Sequence, residues 1–124
     1  MKIIMTGSDD FADLERIVEV LEPYEPSHVA GVYKSTGVSA YIEPYAVFRG
    51  IPFTLYTLSP RAVNTGIADW IRHIAMISMI DPAFVVSFGA SAISLKFCRE
   101  VMRRDYKVLY VDGGNITWMQ NKGP

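Results

Sequence analysis

The sequence has one cysteine, Cys98, in 124 residues, which excludes an internal disulfide and a paired-cysteine metal site. Cys98 falls in an apolar helical run, where a small buried hydrophobe is expected rather than a nucleophile. Basic charge is not in excess either: 12 Lys and Arg against 13 Asp and Glu leave a net charge of -1. A general nucleic-acid binder, which needs a positive face, is therefore not expected. Arg99, Arg103, Arg104 and Lys107 do gather, but Glu100 and Asp105 interrupt them and the spacing places them on an outer, solvated helix face. No apolar run reaches the length of a membrane span, and the amino terminus opens on a strand-like run with no basic segment followed by a long apolar one. The expectation is a cytoplasmic protein with no membrane partner.

What the sequence does have is alternation. Lys2–Thr6, Ser27–Tyr33, Ile51–Leu58, Ala83–Phe88 and Tyr106–Val111 read as short strands. Between them lie helical patterns. Phe11, Leu14, Ile17, Val18 and Leu21 form the first apolar stripe, with Asp9 and Asp10 as candidate caps and Pro23 near its end. Gly37–Phe48 forms the second, in which Pro44 either kinks the helix or delays its start. Ala68–Ile80 and Ala92–Arg104 are the third and fourth. Asp81-Pro82 ends the third, because a residue before proline avoids helical geometry. AFVVSF at Ala83–Phe88 is continuously apolar, as a strand buried on both faces should be. These runs predict a doubly wound, Rossmann-like α/β fold of about five parallel strands with helices on both faces. A single domain over residues 1–114 is expected. Asp112-Gly113-Gly114 closes the pattern, and the tail 115–124, with Trp118 and Met119, is a short extra strand, a lid or a subunit contact.

Ligands of such sheets bind beyond the carboxyl ends of the strands, near the point where strand order reverses. The residues arriving there are Thr6-Gly7-Ser8-Asp9, Gly31–Gly37, Thr57-Leu58-Ser59, Ser87–Ser91 and Asp112-Gly113-Gly114. Small residues allow close backbone approach, and helix amino termini that follow them offer unpaired N–H groups to phosphate. Any tight strand-to-helix turn also favours Gly and Ser, so each turn alone is ambiguous. Their convergence favours phosphate or nucleotide binding, with Gly7, Ser8, Asp9, Lys34, Ser35, Gly89, Ala90 and Ser91 as candidate contacts. GVYKSTG at Gly31–Gly37 has Lys-Ser-Thr but no glycine directly before the lysine, so it is not a P-loop. Lys34 remains a candidate phosphate contact or an exposed loop lysine. Arg72, early in the third helix, is a candidate bidentate clamp for phosphate. His73 beside it is assigned a structural or ligand-contacting role, and His28, at the opposite end of a strand, none. Neither a metal nor a cofactor is expected.

These motifs, taken in order, resemble the SLOG superfamily and within it the small YspA-like family. KIIMTGSDDFAD at Lys2–Asp13 is similar to that family's strand, Gly-Arg-Asp-Phe-type turn and helix. GVYKSTGVSAY at Gly31–Tyr41 corresponds to its second glycine-rich turn, with Ser39 where an acidic residue is usual. WIRHIAM at Trp70–Met76 keeps Arg72 and Met76 of an Arg-Asn-Arg-x-Met element but has His73 and Ile74 at the other places. FGASAIS at Phe88–Ser94 keeps only the first glycine, Gly89, of Gly-Gly-x-Gly-Thr, with Ala90 and Ala92 as small substitutes. Lonely-guy-type phosphoribohydrolases of this superfamily carry a catalytic glutamate where this chain has Lys96. The resemblance thus implies a retained cleft without that carboxylate. It favours non-catalytic binding of a nucleotide or ADP-ribose-like small molecule, as a sensor or a sequestering protein such as a viral counter-defence sponge. The alternatives are a nucleotide N-glycosidase or phosphoribohydrolase using His73 or Asp112 as acid/base, and an interaction module. A homo-oligomer is expected, with Trp70, Met76 and Met79 as candidate apolar contacts.

Overall fold

In the computed structural model the described residues are 1–57 and 66–120, those of 66–69 by their backbone. Strands β1 (Lys2–Gly7), β2 (His28–Val32), β3 (Phe53–Tyr56), β4 (Phe84–Phe88) and β5 (Val108–Asp112) pair in parallel, and β6 (Asn115–Met119) adds to β5 in antiparallel sense. The order across the sheet is β3-β2-β1-β4-β5-β6, so strand order reverses between β1 and β4. Helices α1 (Leu14–Leu21), α2 (Ile42–Arg49), α3 (Gly66–Ile80) and α4 (Ala92–Arg103) connect the parallel strands. The fold is the expected doubly wound one.

The alternation of side chains along each strand sorts the core into two layers. Ile3, Met5, Val86, Phe88, Leu109 and Val111 pack with Ile17 and Leu21 of α1 and Ile42 and Tyr45 of α2. Ile4, Ala30, Val32, Val85 and Val108 point the other way, onto Met76, Ile77 and Ile80 of α3 and Phe97 and Val101 of α4. All five residues of β4 are buried, as a central strand covered on both faces requires.

Two local expectations are corrected, and of the two readings of Pro44 one is realised. The first helix begins at Leu14, with Asp13, rather than Asp9 or Asp10, accepting the Arg16 amide at 3.0 Å. Phe11 stays outside the helix because its ring is drawn onto Phe88 (centroids 5.2 Å) and Tyr41 (6.4 Å). Pro44 sits in the first turn of α2, where no intrahelical N–H is needed, and a 3-10 turn over Val38–Tyr41 precedes it, so the proline delays the helix rather than kinking it. Gly113-Gly114 does not end the pattern. It turns the chain into β6, with Asp112 opposite Asn115 and Gly113 at φ +57°, the two-residue hairpin geometry that glycine favours. Of the three readings of the tail, the extra strand is realised for Asn115–Met119, and Trp118 packs edge-on against Phe84 (5.1 Å) and Tyr24 (6.0 Å). Residues 121–124 lie outside the described residues.

Two basic residues at the end of α4, Arg103 and Arg104, are held by one carboxylate. Glu100 accepts from Arg103 at 2.5 Å and from Arg104 at 2.9 Å, and these hydrogen bonds hold its carboxyl down at about 2. Cys98 is buried in the α4 face of the core, and desolvation pushes its thiol up to about 11, the state of a packing residue rather than a nucleophile.

Candidate functional site

Parallel β1–β5 deliver their following turns to a single edge of the sheet, and three of these turns meet at Ser8. The Ser8 amide donates to Phe88 O at the end of β4 (3.0 Å), and Ser8 O accepts from Val38 N beyond β2 (3.4 Å). Two glycines permit this approach. A Cβ on Gly7 (φ +148°) would lie 2.3 Å from Phe88 O, and one on Gly37 (φ +73°) 2.5 Å from Ser8 O. The Ser8 hydroxyl donates to the Asp10 carboxylate, and Lys34 Nζ lies 3.4 Å from Asp9 Oδ1.

Among the described residues, three depressions run along this edge. A narrow central one, lined by Gly7, Ser8, Asp9, Lys34, Ser39 and His73 among others, has a volume of about 10 Å³, room for about one water. A crevice of about 710 Å³ opens from Ser8 toward Phe11, Arg16, Gly89, Ala90 and Asp112. A groove of about 450 Å³ opens from Lys34 toward Tyr33, Ser35, Glu43, Pro44 and Val47. The two larger volumes lie in the range of about 300–1,000 Å³ that small-molecule sites occupy. Ser8 is common to the first and second depressions, and Lys34 to the first and third.

The structure therefore brings together Gly7, Ser8, Asp9, Lys34, Ser35, His73, Gly89 and Ala90 along one edge. Arg72 is not among them. It is exposed and lines none of the three depressions, because His73, Met76, Ile77 and Ile80 occupy the buried face of α3 and residue 72 lies about 100° away from residue 73 around the helix. Ser91 serves α4 instead: its hydroxyl accepts from Ser94 N at 3.2 Å while its own amide donates to Ser94 Oγ at 2.7 Å, a reciprocal cap. The Gly89 amide donates to Val111 O at 2.7 Å. Of the proposed phosphate seat at Gly89–Ser91, two of the three amides are thus already engaged within the fold. Thr57 ends the described part of its turn, and the expected contacts at Leu58, Ser59 and the loop to Thr65 lie outside the described residues.

His73 is buried (3 % exposed), with its ring edge-on to Phe97 at 5.1 Å. His28 sits at the opposite end of β2, its Nε2 2.8 Å from Thr54 Oγ1, and burial with the nearby Lys2 charge lowers its pKa. Lys96 holds its ammonium 4.3 Å over the Trp70 ring. Among the described residues no group of three or more His, Cys, Asp or Glu is arranged to hold a metal ion, and no helix is long and apolar enough to cross a membrane.

Reading the sequence missed Arg16, which reaches from α1 to Gly113 O (3.0 Å) and Glu19 (2.8 Å) and so braces the β5–β6 hairpin against the crevice. Its signal was its place in the first turn after the Asp13 cap. Tyr33 and Glu43 were also missed, since a strand-end tyrosine and a helix glutamate carry no motif. Carboxylates dominate the larger crevice, where Asp10, Asp13 and Asp112 face Arg16 alone. That balance suits hydroxyl and amine donors better than a naked polyphosphate. Lys34 is the cation of the central depression. No family model matches this chain, and no curated protein matches it significantly.

Proposed function

We propose that this chain binds a nucleotide-derived small molecule of ADP-ribose type along the carboxyl edge of its sheet, holding it without turnover. The observation that carries this reading is the meeting of the turns after β1, β2 and β4 at Ser8, beside the reversal of strand order between β1 and β4. Ser8 and Lys34 border the narrow depression on the sides of the two larger ones, so an elongated ligand spanning both would pass over it, with its charged middle beside Lys34. Lys34 supplies the positive charge, and the crevice carboxylates accept hydrogen bonds from ribose hydroxyls. The resemblance to SLOG proteins points to the same ligand class. Retention rather than hydrolysis is favoured by Lys96 at the place of the relatives' glutamate.

Calorimetric titration with ADP-ribose tests the proposal. Lys34→Ala is expected to weaken binding about tenfold, the low end for a charge-assisted contact because the lysine is partly exposed and already faces Asp9. Arg72→Ala should bind like the wild type. Absence of heat with any nucleotide removes the reading, and release of free base during incubation replaces it with the glycosidase alternative. We also propose self-association through α3, favoured by Ile71 and Met79, which are 59 % and 69 % exposed on that helix. Met76, by contrast, is core, at 1 % exposure. Sedimentation at micromolar concentration is expected to give at least a dimer mass, and a monomer at every concentration would remove this second proposal.

A further inference from the structure

The groove beside Lys34 differs chemically from the acidic crevice at the other end of the edge. Tyr33 follows the buried Val32, so strand alternation turns its ring to the α2 side of the sheet. Its amide donates to Tyr56 O at 2.9 Å, continuing the β2–β3 ladder, so the ring is carried on rigid backbone although 53 % of the residue is exposed. Pro44 and Val47, three residues apart on one side of α2, line the same groove, with Ala40 from the preceding 3-10 turn. An aromatic ring and a short aliphatic wall in one groove make a slot for a flat, apolar-faced group. Two charges flank the slot: the Lys34 ammonium on the side shared with the central depression, and the Glu43 carboxylate on α2.

We infer that this slot seats the base of the bound nucleotide and selects bases bearing an exocyclic amino group, an inference that rests on the nucleotide reading above. The charge arrangement complements one occupant. A nucleotide places its phosphate toward Lys34 and the polar rim of its base toward Glu43. An ionised carboxylate only accepts hydrogen bonds. It therefore matches the amino group of adenine or cytosine and repels the carbonyl oxygen that hypoxanthine or uracil presents at the same place. The base face stacks on Tyr33, a contact worth about a tenfold change in affinity when exposed on one side. Glu43 is thus the specificity-determining residue, acting on the base rather than on the phosphate.

The test titrates wild type, Tyr33→Ala and Glu43→Gln with AMP, IMP and ribose 5-phosphate. The expected results are that wild type prefers AMP to IMP about three- to tenfold and binds ribose 5-phosphate more weakly than AMP. Tyr33→Ala is expected to lose about tenfold for AMP while its affinity for ribose 5-phosphate is unchanged. Glu43→Gln is expected to abolish the preference for AMP, since the glutamine amide donates to the IMP carbonyl as readily as its oxygen accepts. Unchanged AMP affinity in Tyr33→Ala places the base elsewhere and overturns the inference while leaving nucleotide binding intact. Equal AMP and ribose 5-phosphate affinities in wild type do the same. If wild type binds none of the three probes nor ADP-ribose, both readings fall. If Tyr33→Ala instead changes the sedimenting mass with AMP affinity unaltered, the slot belongs to a second copy of the chain and the inference is overturned.

Discussion

Replacing Gly7 by alanine is expected to lower the melting temperature by about 10–15 °C, the shift that about 3–4 kcal/mol produces in a domain of this size. Two costs add. The backbone at Gly7 has φ +148°, a conformation costing about 1–3 kcal/mol for a residue with a side chain. The added methyl would also sit 2.3 Å from Phe88 O and 2.8 Å from the Phe88 carbonyl carbon and nitrogen. These are backbone atoms of the register partner of Gly7 in the central β1–β4 pair, and the same Phe88 oxygen is held by the Ser8 amide at 3.0 Å. Relief therefore requires two core strands to part. Two controls separate the costs. Gly50 has φ +68° with nothing within 4 Å of its Cβ position, so Gly50→Ala carries the conformational cost alone, about 1 kcal/mol. Gly114→Ala, open and without positive φ, is expected to melt with the wild type. A circular dichroism melt of Gly7→Ala coinciding with that of Gly50→Ala would show that the close approach to Phe88 is not there.

That contact between β1 and β4 could not be read from the sequence, because nothing local says which strands become neighbours. What was legible was whatever depends on nearest residues. The buried run FVVSF marked β4 as central, the 3.6-residue stripe of α3 was plain, and Pro44 limited the start of α2. Gly113-Gly114 is legible as a turn, but the extra strand after it stays one of three readings of the tail, because β6 has no charged or buried residue to announce it. The candidate site divides in the same way. Gly7 ends β1, Ser8 and Gly89 directly follow β1 and β4, and Lys34 comes two residues after β2, so parallel pairing alone brings them to one edge. Arg72 required the phase of a helix, and the phase was present: His73, Met76, Ile77 and Ile80 trace the inward stripe, one residue off from Arg72. The amides of Gly89 and Ser91 required knowledge of their partners. One is a neighbouring strand and the other a serine cap, and only the cap has a local signature.

Gly37→Ala is expected to couple stability to the site, lowering stability by about 2–4 kcal/mol and weakening ADP-ribose binding at least about tenfold at temperatures where the variant is still folded. Gly37 has φ +73°, and a Cβ there would lie 2.5 Å from Ser8 O and 2.8 Å from Asp9 Cα. Unlike the methyl of Gly7→Ala, this one does not push two core strands apart. It lies between two turns, and turns yield more readily than paired strands. Part of the strain is therefore expected to relax by moving the Gly37 turn away from Ser8, which breaks the Val38 N to Ser8 O hydrogen bond and carries Lys34 away from Asp9. Those are the contacts that define the central depression, so the ligand loses its aligned cation even where the sheet remains intact. Gly89→Ala provides the contrast. Its φ is +70°, but its Cβ would come no closer than 3.1 Å to Ser8 Cβ and 4.0 Å to Ser8 N, a contact that a shift of a few tenths of an ångström in the Ser8 turn relieves. Its binding loss should accordingly be smaller than that of Gly37→Ala for a similar conformational cost. Melting curves and titrations on both variants decide the matter. A Gly37→Ala protein that melts early yet binds ADP-ribose with wild-type affinity would separate the convergence at Ser8 from ligand binding and remove the observation on which the functional proposal stands.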